Sequence, residues 1–258
     1  MTLIDSHSHL DVDAFDADRA EVVRRARDAG VLRQIVPAIA ASGWDGLRTV
    51  CADYPGLHPA YGLHPMYVAE HRPQHLSLLR EWIERERPVA IGECGLDHYV
   101  EGLDPQRQRD YFLAQIAIAH DAGLPLIVHA RRAVDEVIAA LRSHAGKSGG
   151  VVHSFSGSQQ QAGQLWDLGY CIGIGGPITY ERAQRLRRIV ASMPIEFLLL
   201  ETDSPDQPGH AQRGQRNEPA HLRDVLRVVA ELRNADETVI AAATTRNAER
   251  VFRLPALA

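Results

Sequence analysis

The sequence predicts a (β/α)8 barrel, one domain spanning residues 1–258. Three observations carry that reading. Short β-rich runs alternate with longer amphipathic stretches roughly eight times along the chain. The runs "PLIVH" and "FLLLE" are continuously apolar, which suits parallel strands buried on both faces. Run after run then gives way to His, Asp or Glu near its C-terminal end, the end at which such barrels gather their functional side chains. An open doubly wound sheet is the competing arrangement, because periodicity does not reveal closure.

Taken in order, "LIDSHSHL" is the first strand, and the helix over "DADRAEVVRRARDAG" closes at Gly30. "LRQIVPAI" precedes "ASGWDGLRTVCADYP", and "HPAYGLHP" precedes the stretch around "HLSLLREWIERER". "PVAIGECGLD" leads into "DPQRQRDYFLAQIAIAHDAG", and "LPLIVHAR" into "AVDEVIAALRSHAG". "GVVHSFSG" is followed by "SQQQAGQLWDLG", and "YCIGIGG" by "TYERAQRLRRIVASM". The last run, "IEFLLLETDSP", precedes helical segments from Pro219 onward. Between Asp203 and His221 lies the longest irregular segment, expected to cover the barrel mouth.

Composition narrows the function classes. Hydrophobic residues make up 45% and charged residues 24%, ordinary for a soluble globular protein. The net charge of -5 argues against a broad nucleic-acid-wrapping surface and leaves room for a local phosphate grip. Three cysteines without CxxC spacing argue against a disulfide framework, so buried apolar roles are expected. No leader and no run of about 18 apolar residues is visible, so the chain reads as cytoplasmic, with no membrane contact and no obligate protein partner.

The polar residues at the run ends form the informative pattern. The first run ends in His7 and His9, the third in His64, the fourth in Glu93, the fifth in His129, the sixth in His153 and the eighth in Asp203. Residues two apart in a strand share a face, so His7 and His9 are expected to point together into the barrel. Neutral imidazoles and carboxylates are ligands for divalent cations. His7, His9, Glu93, His129, His153 and Asp203 are too many for one four-coordinate ion and suit two that share a carboxylate. His58, His71, His75, His120, His144, His210 and His221 are read as structural. "AGKS" (Ala145 to Ser148) lacks the upstream glycine of a phosphate-binding loop, and "GIGG" (Gly173 to Gly176) reads as tight packing or a turn.

With these residues assembled, the chain resembles the TatD family of metal-dependent deoxyribonucleases in the amidohydrolase superfamily. The matching motifs are "DSHSHLD", "GLHP", "IGECGLDHY", "PLIVHAR", "VVHSFSG", "LLLETDSP" and "RNEP", in family order from Asp5 to about Pro219. The resemblance implies that His7, His9, Glu93 and Asp203 bind one ion and that Glu93, His129 and His153 bind the other. Many superfamily relatives bridge their metals with a carboxylated lysine; here the one lysine, Lys147, lies in a polar loop, and Glu93 takes that place. The continuation "ETDSPDQPGHAQRGQRNEP" looks more like the less characterised hydrolase branch.

The expected activity is phosphodiester hydrolysis at DNA ends, 3′-5′ exonuclease-like, with DNA or a nucleotide bound by its end. Asp203 is the expected general base, Arg131 a phosphate grip, His64 a substrate contact and Asp5 a support for a ligand imidazole. A surface salt bridge is the plainer role for Arg131, and a structural one for His64. Imidazole-rich ligation suits Zn, Mn, Ni or Co, and the resemblance adds Mg. Two alternatives stand beside this: hydrolysis of an amide, ester or D-aminoacyl-tRNA bond, and metal binding without catalysis.

Overall fold

The computed structural model describes residues 1–144 and 149–256. Eight strands run parallel in one sheet, each paired with the next in chain order. They are β1 (Leu3–Asp5), β2 (Val31–Pro37), β3 (Leu57–Tyr61), β4 (Ala90–Asp97), β5 (Leu126–Arg131), β6 (Gly150–Val152), β7 (Tyr170–Ile174) and β8 (Leu198–Leu200). Helices α1 (Arg19–Asp28), α2 (Trp44–Asp53), α3 (Pro73–Glu86), α4 (Pro105–Ala122), α5 (Val134–Ser143), α6 (Gln159–Asp167) and α7 (Gln184–Ser192) fill the crossovers. After β8 come α8 (Leu222–Arg233) and α9 (Glu237–Phe252).

Backbone hydrogen bonds just past the ends of β1 and β8 close the barrel. Ser6 N–H donates to Leu200 O at 3.0 Å, Asp203 N–H to His7 O at 2.8 Å and His9 N–H to Ser204 O at 2.7 Å. The closed reading therefore holds and the open sheet does not. A buried layer takes one residue from each strand in turn: Ile4, Ile35, Ala60, Ala90, Ile127, Val151, Cys171 and Leu199. Phe252 and Ala248 of α9 pack into the same layer. The barrel interior is thus a packed plug with polar chemistry confined to one end, as alternating inward positions in a closed sheet require.

Local sequence sets the helix ends. Asp104 accepts the Arg107 N–H at 3.1 Å and Pro105 opens α4, while Gly123 closes it at φ 64°. Ser158 and Gln161 form a reciprocal capping box on α6. Cys94 and Cys171 are buried and all three cysteines are free, as their spacing implied. Gly173 packs against the Glu201 carboxyl, where a Cβ would lie 2.0 Å from Oε2, so "GIGG" marks close packing. "AGKS" lies outside the described residues.

Two expectations about strand ends need correction. β1 stops at Asp5, so His7 and His9 lie beyond the strand, and strand alternation does not aim them. Glu93 sits within β4, which continues to Asp97. There the β4–β5 register shifts between Ile91 and Cys94, a local irregularity that periodicity in the sequence does not announce.

Gly95 holds β4 against β5 at this irregularity. Its φ is 140°, and a Cβ there would lie 2.1 Å from the carbonyl oxygen of His129. Gly95→Ala is expected to cost about 3 kcal/mol, from combined strain and overpacking. A denaturant midpoint unchanged from wild type would show that the strands tolerate the methyl group.

Candidate metal centre

Of the nine residues given a site role from the sequence, seven meet at the C-terminal mouth, Arg131 stands on its rim and Asp5 is buried behind His7. The His7 and His153 rings stack with centroids 3.8 Å apart, though 146 positions separate them in the chain. Glu93 lies between two groups of ligand atoms, and each of its oxygens faces one of them. Oε2 is 3.1 Å from His7 Nε2 and 3.6 Å from His9 Nε2. Oε1 is 2.8 Å from His129 Nδ1 and 2.7 Å from His153 Nε2.

The first group has the proportions of a coordination shell. His7 Nε2 and His9 Nε2 are 3.2 Å apart, and Asp203 Oδ1 lies 3.5 Å from the one and 3.6 Å from the other. A tetrahedral ion bound at about 2.0–2.1 Å spaces its ligands about 3.3–3.4 Å apart, in the middle of these separations. In the second group His129 Nδ1 and His153 Nε2 are 3.3 Å apart.

Tautomers decide whether these contacts suit a cation. His9 Nδ1 faces the Pro37 carbonyl at 3.2 Å, which only accepts, so Nδ1 carries the hydrogen and Nε2 presents a lone pair. His129 Nε2 donates to Asp97 Oδ2 at 2.8 Å, so Nδ1 turns a lone pair toward Glu93 Oε1. Lone pairs facing a carboxylate repel unless something positive stands between them. Glu93 Oε2 is buried and finds no hydrogen-bond donor among the described residues. A divalent cation fits this donor set.

His64 differs from the other imidazoles. Its Nδ1 accepts the Met66 N–H at 3.1 Å, so Nε2 carries the hydrogen and donates to Glu93 Oε1 at 3.0 Å. Its carbonyl in turn accepts from His71 Nε2 at 2.8 Å, which gives His71 the structural role expected of it.

Electrostatics agree with the geometry. Burial raises the Glu93 carboxyl, but the charges of His153, His64 and His7 outweigh it and hold Glu93 well below the usual range. Burial opposes charge on His153, yet Glu93 pushes it up to about 10, a measure of how strongly this cavity favours positive charge. Burial, then His153, lowers His7 to about 4.

Three contributors escaped the sequence reading. Asp97 supports His129: burial raises its carboxyl, but hydrogen bonds from His129 and from the Val100 and Tyr99 N–H groups bring it down to about 2. Glu201, raised by burial to about 8, accepts from Ser154 N at 2.5 Å beneath the centre. Gln207 donates to Asp203 Oδ2 and to Ser154 Oγ, tying the segment after β8 to the end of β6. The signal available was the second nitrogen of each ligand histidine, which needs an acceptor that "GLDHY" supplies. Asp5, expected to support an imidazole, instead accepts from the His7 backbone N–H and from Thr202. It fixes the backbone after β1 to the segment after β8, and burial raises its carboxyl to about 7.

Above these groups opens a cavity of about 1010 Å3, lined in part by His64, Arg131, Ser154 and Pro205 to Gln207. The segment after β8 therefore reaches the mouth, as its length implied. Arg131 is exposed, and its guanidinium carbon lies 3.7 Å from the centre of the Tyr99 ring.

A parallel barrel with imidazoles and carboxylates gathered at this mouth is the architecture of a metal-dependent hydrolase. Residues 4–253 match the family model described as TatD related DNase, and the chain belongs to the TatD family. It is 40% identical to the uncharacterised metal-dependent hydrolase YjjV of Escherichia coli, over 98% of both chains. The crystal structure of YjjV superposes with a TM-score of 0.94 at 39% identity, covering 98% of each chain. A TatD protein of Erwinia tasmaniensis, named a 3'-5' ssDNA/RNA exonuclease, is 36% identical over 93% of this chain and 95% of its own.

Asp97→Asn would keep the loop contacts at Oδ1 and offer His129 Nε2 a donor where it now finds an acceptor. That change moves the imidazole hydrogen onto Nδ1, the ligand atom. Zinc affinity at the His129 site is expected to fall about 10–100-fold, read by competition with a chromogenic chelator. Affinity equal to wild type would remove Asp97 from this role.

Proposed function

We propose that the protein is a two-metal phosphodiesterase acting on DNA ends. The observation that carries this reading is the divided carboxylate of Glu93, one oxygen for each ligand group. His7, His9, Glu93 Oε2 and Asp203 Oδ1 would hold one ion, and Glu93 Oε1, His129 and His153 the other. Zn, Mn, Ni or Co suits the nitrogen-rich set, with Mg as a further candidate. Bound there, the ions would supply Lewis acidity toward a phosphoryl oxygen and acidify a water.

The chain's own residues do the rest. The Asp203 carboxylate, anchored at Oδ2 by the Gln207 amide, takes the proton of the attacking water. The water oxygen bonds to phosphorus as the bond from phosphorus to the departing nucleoside oxygen breaks, and that oxygen takes up the proton that Asp203 received. Arg131, placed over the Tyr99 ring, grips non-bridging oxygens of the phosphate. His64 keeps the Glu93 carboxylate turned between the two groups and also lines the cavity, within reach of the substrate contact expected from sequence. The exonuclease name of the Erwinia tasmaniensis relative supports the choice of substrate.

Asp203→Asn retains an oxygen ligand but cannot accept the proton; kcat is expected to fall about 10³-fold, with the metal content kept. A rate near wild type on a single-stranded oligodeoxynucleotide would remove Asp203 as the base. Glu93→Gln is expected to lower bound metal, measured by inductively coupled plasma mass spectrometry, from two ions per chain to one or none. Two ions retained would contradict the bridge. The reaction class is tested by offering the oligonucleotide beside a D-aminoacyl-tRNA, an amide and a lactone. Faster turnover of any of the last three would displace the phosphodiesterase reading.

A further inference from the structure

One arc of the mouth has arginines whose charge no carboxylate of the described residues neutralises. Arg182 and Arg185, between β7 and the first turn of α7, are exposed and line the cavity that contains Glu93. Neutral groups hold both in place. The Arg182 guanidinium carbon lies 5.1 Å from the centre of the Tyr180 ring. That tyrosine is itself anchored, donating its hydroxyl to Pro208 O at 3.2 Å. Arg185 donates one guanidinium N–H to Ser156 O at 2.6 Å. Arg131 on β5 has the same character, stacked on Tyr99 without an ion pair. Some surface arginines elsewhere are matched with acids, as Arg19 is with Asp16 and Arg216 with Asp18, while others, Arg27 among them, rest on a carbonyl as Arg185 does; what sets Arg182 and Arg185 apart is their place on the cavity wall.

Acidic side chains at the mouth lie on the other side. Asp13 follows β1 and Asp206 follows β8, and both line the cavity. Among the residues that line the cavity, the arc over β5 to β7 is therefore positive and the arc over β8 and β1 negative, on a chain whose net charge is -5. Arginines restrained by rings and carbonyls lose little freedom when an anion arrives, and no existing ion pair must be broken first. A charge distribution of this kind orients an extended polyanion along one side of a pocket.

We propose that Arg182 and Arg185 form a subsite for a phosphate flanking the one that is cut, so that the strand runs over β5 to β7. The proposal rests on the phosphodiesterase reading and adds a direction and a minimum length: a strand with several phosphates. A mononucleotide or a lone phosphodiester would leave the subsite unused.

The test uses the full chain and its Arg182→Ala/Arg185→Ala variant, with Arg182→Lys/Arg185→Lys as a charge-keeping control. Binding of fluorescein-labelled oligothymidylate to metal-stripped protein is followed by anisotropy across a salt series. Losing this phosphate contact is expected to make the slope of log affinity against log salt shallower by about 0.7. In metal-loaded protein, the preference for the oligonucleotide over a dinucleotide, as a ratio of kcat/KM, should drop about tenfold. The lysine variant should keep most of both. An unchanged slope and an unchanged ratio would overturn the subsite while dinucleotide cleavage left the phosphodiesterase reading standing. A shallower slope with no phosphodiester cleaved under any metal would support the subsite and overturn the reaction.

Discussion

Everything at the mouth depends on one buried carboxylate. Glu93 is 1% exposed and carries charge in a place where charge is costly without compensation. One oxygen receives a hydrogen bond from His64 Nε2, and the other finds no donor among the described residues. The imidazole nitrogens around it present lone pairs where their second nitrogens are bound to Pro37 O and Asp97 Oδ2. Cations satisfy carboxylate and imidazoles at once, which is why a metal-dependent chemistry follows from the packing itself.

The scaffold's task is to keep those atoms from relaxing apart. Closure of the barrel falls where the ligands lie: the bonds joining the segments after β1 and β8 involve the backbones of His7, His9 and Asp203. Asp5, fully buried, adds side-chain bonds from the His7 backbone to Thr202 across the same seam. Gln108 grips both backbone polar groups of Asp97, which in turn fixes the His129 ring. Ligands delivered by separate strands are thereby held in register without any one element spanning the site.

Much of this was legible in the chain. Eight alternating units and continuously apolar runs such as "PLIVH" and "FLLLE" carry the barrel, because a parallel sheet buries both of its faces. The cluster of imidazoles and carboxylates at the mouth was legible because its residue types recur at one topological level. The aim of His7 and His9 was not, since it comes from the backbone beyond β1 and not from strand alternation. Asp97, Glu201 and Gln207 were hidden for a related reason: their roles are defined by partners 32, 47 and 53 positions away. Tautomer logic, which separates His64 from the true lone-pair donors, needs coordinates, because the same residue type serves in both roles.

The central claim is that Glu93 lies between two cations, one on each oxygen. Anomalous diffraction from crystals grown with manganese, collected at the manganese edge, locates such ions without reference to activity. Two peaks flanking the Glu93 carboxylate, one beside His7 and His9 and the other beside His129 and His153, are predicted. A single peak away from Glu93, or none at saturating metal, would contradict it.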